Sequence, residues 1–301
     1  MRLVLAAGTA LAAAALAATV GQQAQASVVV GLWTNVWTDP FGGAAGSGVD
    51  AQYWKYDLGQ GGFGNSEVER MTDSTANVYL TGQGTLAITA LKSGGQWTSG
   101  RIQTTQAFTA PAGGELAVSA SIEQPAGGAG YWPAFWLLGQ GQWPEHGEID
   151  ILEDVNSLSE HSGTLHCGNL TARNSDGTTG PCHEQTGLTS HLQACAGCQT
   201  GYHVYTVIIN RQNAADEQIT WQIDGKQFFS VSESQVGQAA WTEAVDGGFT
   251  IIFDLAMGGT YPDQTCKCVA PNSSTQSGGT MSVRYVSVQK WTPILTLFKD
   301  K

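Results

Sequence analysis

The sequence predicts an all-β protein, a sandwich of antiparallel sheets, and three observations carry that expectation. Several stretches alternate apolar and polar residues with period two, which places successive side chains on opposite faces of a strand. Glycine is abundant, at 39 residues, and clusters between those stretches, as in Gly59 to Gly64, Gly94-Gly95, Gly127 to Gly130 and Gly258-Gly259. Beyond residue 26 the chain is also poor in the Glu and Lys that favour helix.

In chain order, Leu86 to Ala90 reads as the first clear strand. Leu116, Val118, Ala120 and Ile122 then form an apolar face, with Glu115, Ser119, Ser121 and Glu123 on the other. Tyr202 to Ile209 follows, and Ile219, Trp221 and Ile223 alternate with Thr220, Gln222 and Asp224. Asp224-Gly225 is a tight hairpin signal, because Gly tolerates positive φ, and Gln227 to Val231 is the returning strand. Phe249 to Leu255 and Met281 to Val288 complete the set, and a turn near Ser232 to Gln238 is the only helical expectation. No linker or composition shift divides the chain after its leader, so one domain is expected, with residues 292–301 as a loosely held tail.

Residues 1–26 read as a secretory signal peptide. Arg2 gives the positive start, Leu3 to Val20 the apolar stretch, and Ala24-Gln25-Ala26 a small-x-small cleavage site. No later run is long enough to cross a membrane. The full chain carries a net charge of −12, with 13 basic against 25 acidic residues, and no basic cluster of the kind that nucleic-acid binding requires. Export places the six cysteines in an oxidising compartment, where disulfides persist. Cys167–Cys182, closing one long loop, is the first pairing expected. A zinc site is the competing possibility, since Cys195 and Cys198 have C-x-x-C spacing with His183 and His191 nearby. Cys266 and Cys268 lack the spacing to complete it.

Chemistry concentrates in Glu148-Ile149-Asp150-Ile151-Leu152-Glu153, three acids in a chain whose charged residues amount to only 13 %. On a strand Glu148 and Asp150 share a face, while Ile149 and Ile151 point into the core. Strict alternation would send Glu153 inward; a one-residue bulge at Ile151-Leu152 returns it to the acidic face. Carboxyls lined up on one face repel, so stability does not account for the pattern. Two carboxyls flanking one bond are what glycoside hydrolysis needs, about 5–5.5 Å apart for retention and about 6.5–9.5 Å for inversion. The Glu148 and Glu153 backbones would lie about 13 Å apart, so both side chains must lean together over Asp150. A calcium site and a solvated acidic strand are the alternatives. Trp132, Trp136 and Trp143 lie just upstream, with Trp132 equally suited to the core.

Glu148 to Glu153 resembles the E-x-D-x-x-E signature of glycoside hydrolase family 16 in its bulged, laminarinase-like form. Trp97 to Arg101, Tyr131 to Trp136, Thr164-Leu165-His166, Tyr202 to Tyr205, Ile219 to Gly225, Phe249 to Gly259 and Tyr285 to Trp291 resemble further family segments. The resemblance implies a β-jelly-roll sandwich of two antiparallel sheets, concanavalin A-like, with a concave substrate cleft, over residues 27–291. It makes Glu148 the nucleophile, Asp150 its assistant and Glu153 the acid/base. Trp136 and Trp143 become sugar platforms, with Trp132, His166, Asn65 and Arg101 also on the substrate. The expected activity is that of a secreted, monomeric, retaining endo-1,3-β-glucanase whose partner is a polysaccharide, with no cofactor. No metal is expected either: many members place a calcium between an N-terminal Glu and an Asp of the last strand, and here those positions correspond to Pro40, after Asp39, and Arg284. Asp254 stands where Asn is common, and the Cys167 to Cys198 insertion is not general. A sister activity on galactan, mixed-linkage glucan or agar, a transglycosylase, or a lectin-like binder without catalysis remain the other readings.

Overall fold

The computed structural model describes residues 31–294 with the exception of residue 62, so the leader at 1–26 and most of the tail at 292–301 lie outside the described residues. Two large antiparallel sheets dominate. The back sheet runs in the order β18 (Lys226–Ser232), β17 (Gln218–Ile223), β16 (His203–Asn210), β10 (Glu115–Glu123), β20 (Thr280–Pro293), β6 (Leu86–Thr89) and β5 (Val78–Leu80), with β1 (Gly31–Asp39) also paired to β20. The site sheet runs β14 (Leu188–Thr189), β13 (Glu160–His166), β12 (Glu148–Glu153), β11 (Tyr131–Gly139), β19 (Phe249–Met257), β9 (Arg101–Thr104) and β2 (Trp54–Tyr56), with β15 (Gln193–Ala194) on β13. A small third sheet contains β3 (Gly59–Gln60), β4 (Glu69–Met71), β8 (Gln96–Ser99) and β7 (Leu91–Ser93). The chain is thus the predicted jelly-roll sandwich.

The core forms where the two inner faces meet. Leu116, Val118, Ala120 and Ile122 of β10 pack in one cluster with Phe135 and Leu137 of β11, Ile149, Ile151 and Leu152 of β12, and Phe253 of β19. Phe135 and Phe253 stack with ring centres 4.7 Å apart. The three β12 aliphatics are fully buried and contribute about 1.5–3 kcal/mol each. That offsets the cost of holding carboxyls on the opposite face of the same strand.

The strands read from the sequence are present with shifts of one or two residues at their ends, except that the last, β20, continues five residues past Val288. Asp224 and Gly225 have φ of 51° and 75°, the paired positive values of a type I′ hairpin. Thr292 and Pro293 still pair with Leu32 and Gly31, so the last strand runs two residues past the expected boundary at 291. Helix is where the sequence expectation falls short. The turn near 232–238 is α1 (Glu233–Val236), but it leads directly into α2 (Gln238–Val245), and α3 (Thr260–Cys266) follows β19. Trp241, Ala244 and Val245 form the buried stripe of α2, a period-3.6 signal too short to stand out in eight residues. In α3, Pro262 sits in the first turn, where its missing N–H costs nothing. None of the described helices is long and apolar enough to cross a membrane.

The Cys167–Cys182 disulfide is present, as expected, together with Cys195–Cys198 and Cys266–Cys268. Cys195 and Cys198 are therefore not available as zinc thiolates.

Candidate active site

The acidic segment is β12, and its register shows how the three carboxyls come to share a face. Against β11, Leu138 faces Glu148, Trp136 faces Asp150 and Ala134 faces Glu153, with a shift between Phe135 and Trp136. Against β13, three steps from Asp150 to Glu153 match two steps from Thr164 to Ser162. Ile151 is the extra residue. Ile151 and Leu152 both point into the core at 0 % exposure, and Glu153 emerges on the side of Glu148 and Asp150. At the bulge Trp221 of the back sheet donates its indole N–H to the Asp150 carbonyl at 2.7 Å. Gly163 makes room for that indole, since a Cβ there would collide with the Trp221 ring. The strand enters through Gly147, at φ 82°, whose hypothetical Cβ would strike the Ala244 carbonyl.

Three rows cross the outer face of the site sheet. His166, Glu148, Leu138 and Thr250 form the first; Thr164, Asp150, Trp136, Ile252 and Gln103 the second; Ser162, Glu153, Ala134, Asp254 and Arg101 the third. Small side chains, Ser162 and Ala134, flank Glu153 on both sides. His166 lies beside the acids, with Nε2 3.5 Å from Asp150 Oδ2 and 3.9 Å from Glu148 Oε1. Its Nδ1 is 2.7 Å from Glu184 Oε2. Trp132 donates its indole N–H to Glu153 Oε1 at 3.0 Å, and Trp136 donates to Asp254 Oδ1 at 2.7 Å.

Burial dominates the electrostatics of these groups. It raises Glu148 above the usual carboxylate range, against the lowering charges of His166 and Arg101. Asp150 is pushed up further, by burial and then by the charges of Glu153 and Glu148 on either side. Glu153 is raised to about 7 by burial, with the Trp132 hydrogen bond opposing and the charges of Glu148 and Asp254 adding to the rise. His166 moves the other way from what burial alone dictates. Its bond to Glu184 and the charges of Asp150 and Glu148 overcome desolvation and raise it to about 10. An imidazolium therefore sits against the carboxyls. Polar atoms of Glu148, Asp150 and His166 lie within 4.8 Å of one another. At the convex face, Asp39 accepts from the Phe41 amide and the Trp54 indole, each at 2.7 Å. Arg284 lies over the Tyr202 ring at 3.7 Å.

The predicted substrate residues separate into two groups. Trp143 is 37 % exposed, its ring centre 5.7 Å from that of His166, and it is open to a ligand. Trp136 belongs to the same face but is only 9 % exposed, because the Arg101 guanidinium lies 4.7 Å above its ring. It is a covered floor, where an open platform was expected. Arg101 is itself clamped, with Nε 3.0 Å from Asp57 Oδ2 and its guanidinium 4.5 Å from the Phe63 ring. Trp132 serves Glu153 and packs edge-on against Tyr261. Asn65 is exposed on the opposite rim, its carbonyl accepting from the Thr260 amide. Sequence reasoning missed Glu184, Asp57 and Phe63. Only their contacts reveal them, since none stands in a motif or at a recognisable spacing from the acids.

Comparison with known proteins agrees with this geometry. Residues 66–224 match the family described as "XgeA-like, catalytic GH16 domain". The chain belongs to glycoside hydrolase family 16. Among solved structures of that family's kind, an endo-1,3-beta-glucanase from Streptomyces sioyaensis superposes with a TM-score of 0.79 at 40 % identity, over 87 % of this chain and 97 % of that one. Two further relatives are a glucan endo-1,3-beta-glucosidase A1 from Niallia circulans, 30 % identical, and a beta-glucanase from Rhodothermus marinus, 29 % identical. The first alignment covers 85 % of this chain but 37 % of the Niallia protein; the second covers 86 % of each. As a family 16 member the chain is a glycoside hydrolase.

Proposed function

We propose that this glycoside hydrolase is a retaining endo-enzyme that cleaves β-1,3-glucan of the laminarin type, with Glu148 as nucleophile and Glu153 as acid/base. The observation that carries the reading is the bulge at Ile151, which turns Glu153 onto the face of Glu148. The named activities of the relatives supply the substrate class.

Glu148 lies next to the imidazolium of His166 and is kept ionisable by it; it attacks the anomeric carbon. Glu153, with its proton affinity raised, delivers a proton to the leaving glycosidic oxygen. The covalent glycosyl-enzyme is then hydrolysed by a water that Glu153, now ionised, deprotonates. Asp150, pushed towards its neutral form, separates the two glutamates without adding a third charge. Trp143 offers an exposed ring for the apolar face of a sugar beside the nucleophile. Export through the 1–26 leader and action as a monomer complete the proposal, supported by the leader's composition and by the three disulfides.

The test is a reducing-sugar panel on laminarin, barley glucan, galactan and agarose, with the anomer of the first product followed by NMR. Laminarin should be the best substrate and the β-anomer should appear first. A preference for galactan or agarose, or an α-anomeric first product, would overturn the assignment.

A further inference from the structure

The segment from Cys167 to Cys198 does more than border the site. Glu184 lies inside it with a fully buried side chain, 0 % exposed. One carboxyl oxygen accepts from the Cys167 amide at 2.9 Å and the other meets His166 Nδ1 at 2.7 Å. The Glu184 backbone pairs both ways with Thr179, at 2.7 and 2.9 Å. Two residues earlier, Cys182 is bonded to Cys167, the immediate neighbour of His166. The carboxyl is thus fixed on every side while its one mobile partner, the imidazole, is held from behind. On its other edge the ring faces Asp150 and Glu148.

We propose that Glu184 is a positioning residue for hydrolysis: it holds His166 as an imidazolium aimed between Glu148 and Asp150, and the disulfide-closed segment is what delivers it there. This inference rests on the reading of Glu148 and Glu153 as the working pair. The physical reason is a balance. Burial of an imidazole disfavours its charged form, and three carboxyls on β12 cannot all be ionised so close together. A permanently anchored cation beside Glu148 favours its ionised form. The groups acting on His166 are Glu148, Asp150 and Glu153 from β12 and Glu184 from the insertion, with Arg101 acting on Glu148 from across the sheet. Among the described residues, Glu184 is the one hydrogen-bonded to the far nitrogen. A carboxyl that served only to satisfy the Cys167 amide would leave the pH dependence of turnover unaffected.

The experiment compares the full chain with Glu184→Gln in two ways. The first is an NMR titration of the His166 imidazole nitrogens, assigned with His166→Gln. The second is the pH profile of laminarin hydrolysis. His166 should stay protonated from about pH 5 to 9 in the parent and titrate near neutrality in Glu184→Gln. The kcat of the variant should stay within about twofold of the parent at pH 5 and fall about tenfold at pH 8, with KM changed less than about twofold, since each unit between pH and pKa is a factor of ten in protonation. Superimposable titrations, or a loss uniform across pH, would overturn the proposal. If Glu184→Gln fails to fold, Glu184→Asp, which keeps the charge but falls short of His166, must show the same pH-dependent loss. A parent chain inactive on laminarin would defeat the glucanase reading instead, and the imidazole titration would still decide the role of Glu184.

Discussion

β10 and β12 are built on the same two-residue period, one at the centre of the back sheet and one in the site sheet, and they diverge at a single inserted residue. In β10 Leu116, Val118, Ala120 and Ile122 keep to the core face from end to end, and Ala117 is the one apolar residue on the other face. Its polar face is occupied in ordinary ways: Ser119 shares a hydrogen bond with Thr206 at 2.8 Å, and Glu115 accepts from Asn210 at 2.9 Å. In β12 the extra residue adds apolar burial on one face and a third carboxyl on the other. All three acids are pushed above their usual range. The regular strand spends its sequence on stability. The irregular one accepts charge repulsion and desolvation, the departure from local consistency expected where chemistry is done.

The contrast can be broken or sharpened by substitution. The largest effect is expected at Glu148, where Glu148→Gln should lower kcat on laminarin by at least about 10^4-fold, with near-UV circular dichroism unchanged. Normal turnover would remove β12 from the chemistry. Next, Glu153→Gln should cost about 10^2–10^4-fold on laminarin but far less on an aryl glycoside whose phenolate departs without a proton. Equal losses on both substrates would deny Glu153 the acid role. The third effect concerns pH. Glu153 must hold its proton to act, and that proton is lost as pH rises through about 7, so the alkaline limb of kcat/KM should fall there. Asp254 adds negative charge that favours the protonated form of Glu153; Asp254→Asn should therefore shift the limb to lower pH, by less than about one unit. A limb that stays in place or moves up would sever Asp254 from Glu153. The smallest effect belongs to β10. Ser119→Ala should change stability by about 1 kcal/mol or less and leave kcat unchanged, as read by thermal melting and laminarin assay. A large loss of activity there would erase the distinction between the two strands.

The elements legible in the sequence were those whose signal is local. Period-two alternation marked β10 and β17, Asp224-Gly225 marked the hairpin, and the misfit between Glu153 and strict alternation marked the bulge before any coordinates. Short helices escaped because eight residues of α2 hold too little of a 3.6-residue period. Trp136 was placed on the right face, but nothing in its neighbours along the chain shows that Arg101, 35 positions earlier, covers its ring.

The order of residues therefore determined that this chain is a β-sandwich and that three acids share one strand face, because alternation and bulges are properties of a single strand. Only the tertiary structure decided how those acids are charged and held. Desolvation, the Trp221 indole and the Glu184 carboxyl act through space, from segments whose positions in the chain carry no trace of their nearness to β12, and the Trp132 indole meets Glu153 only once β11 and β12 pair.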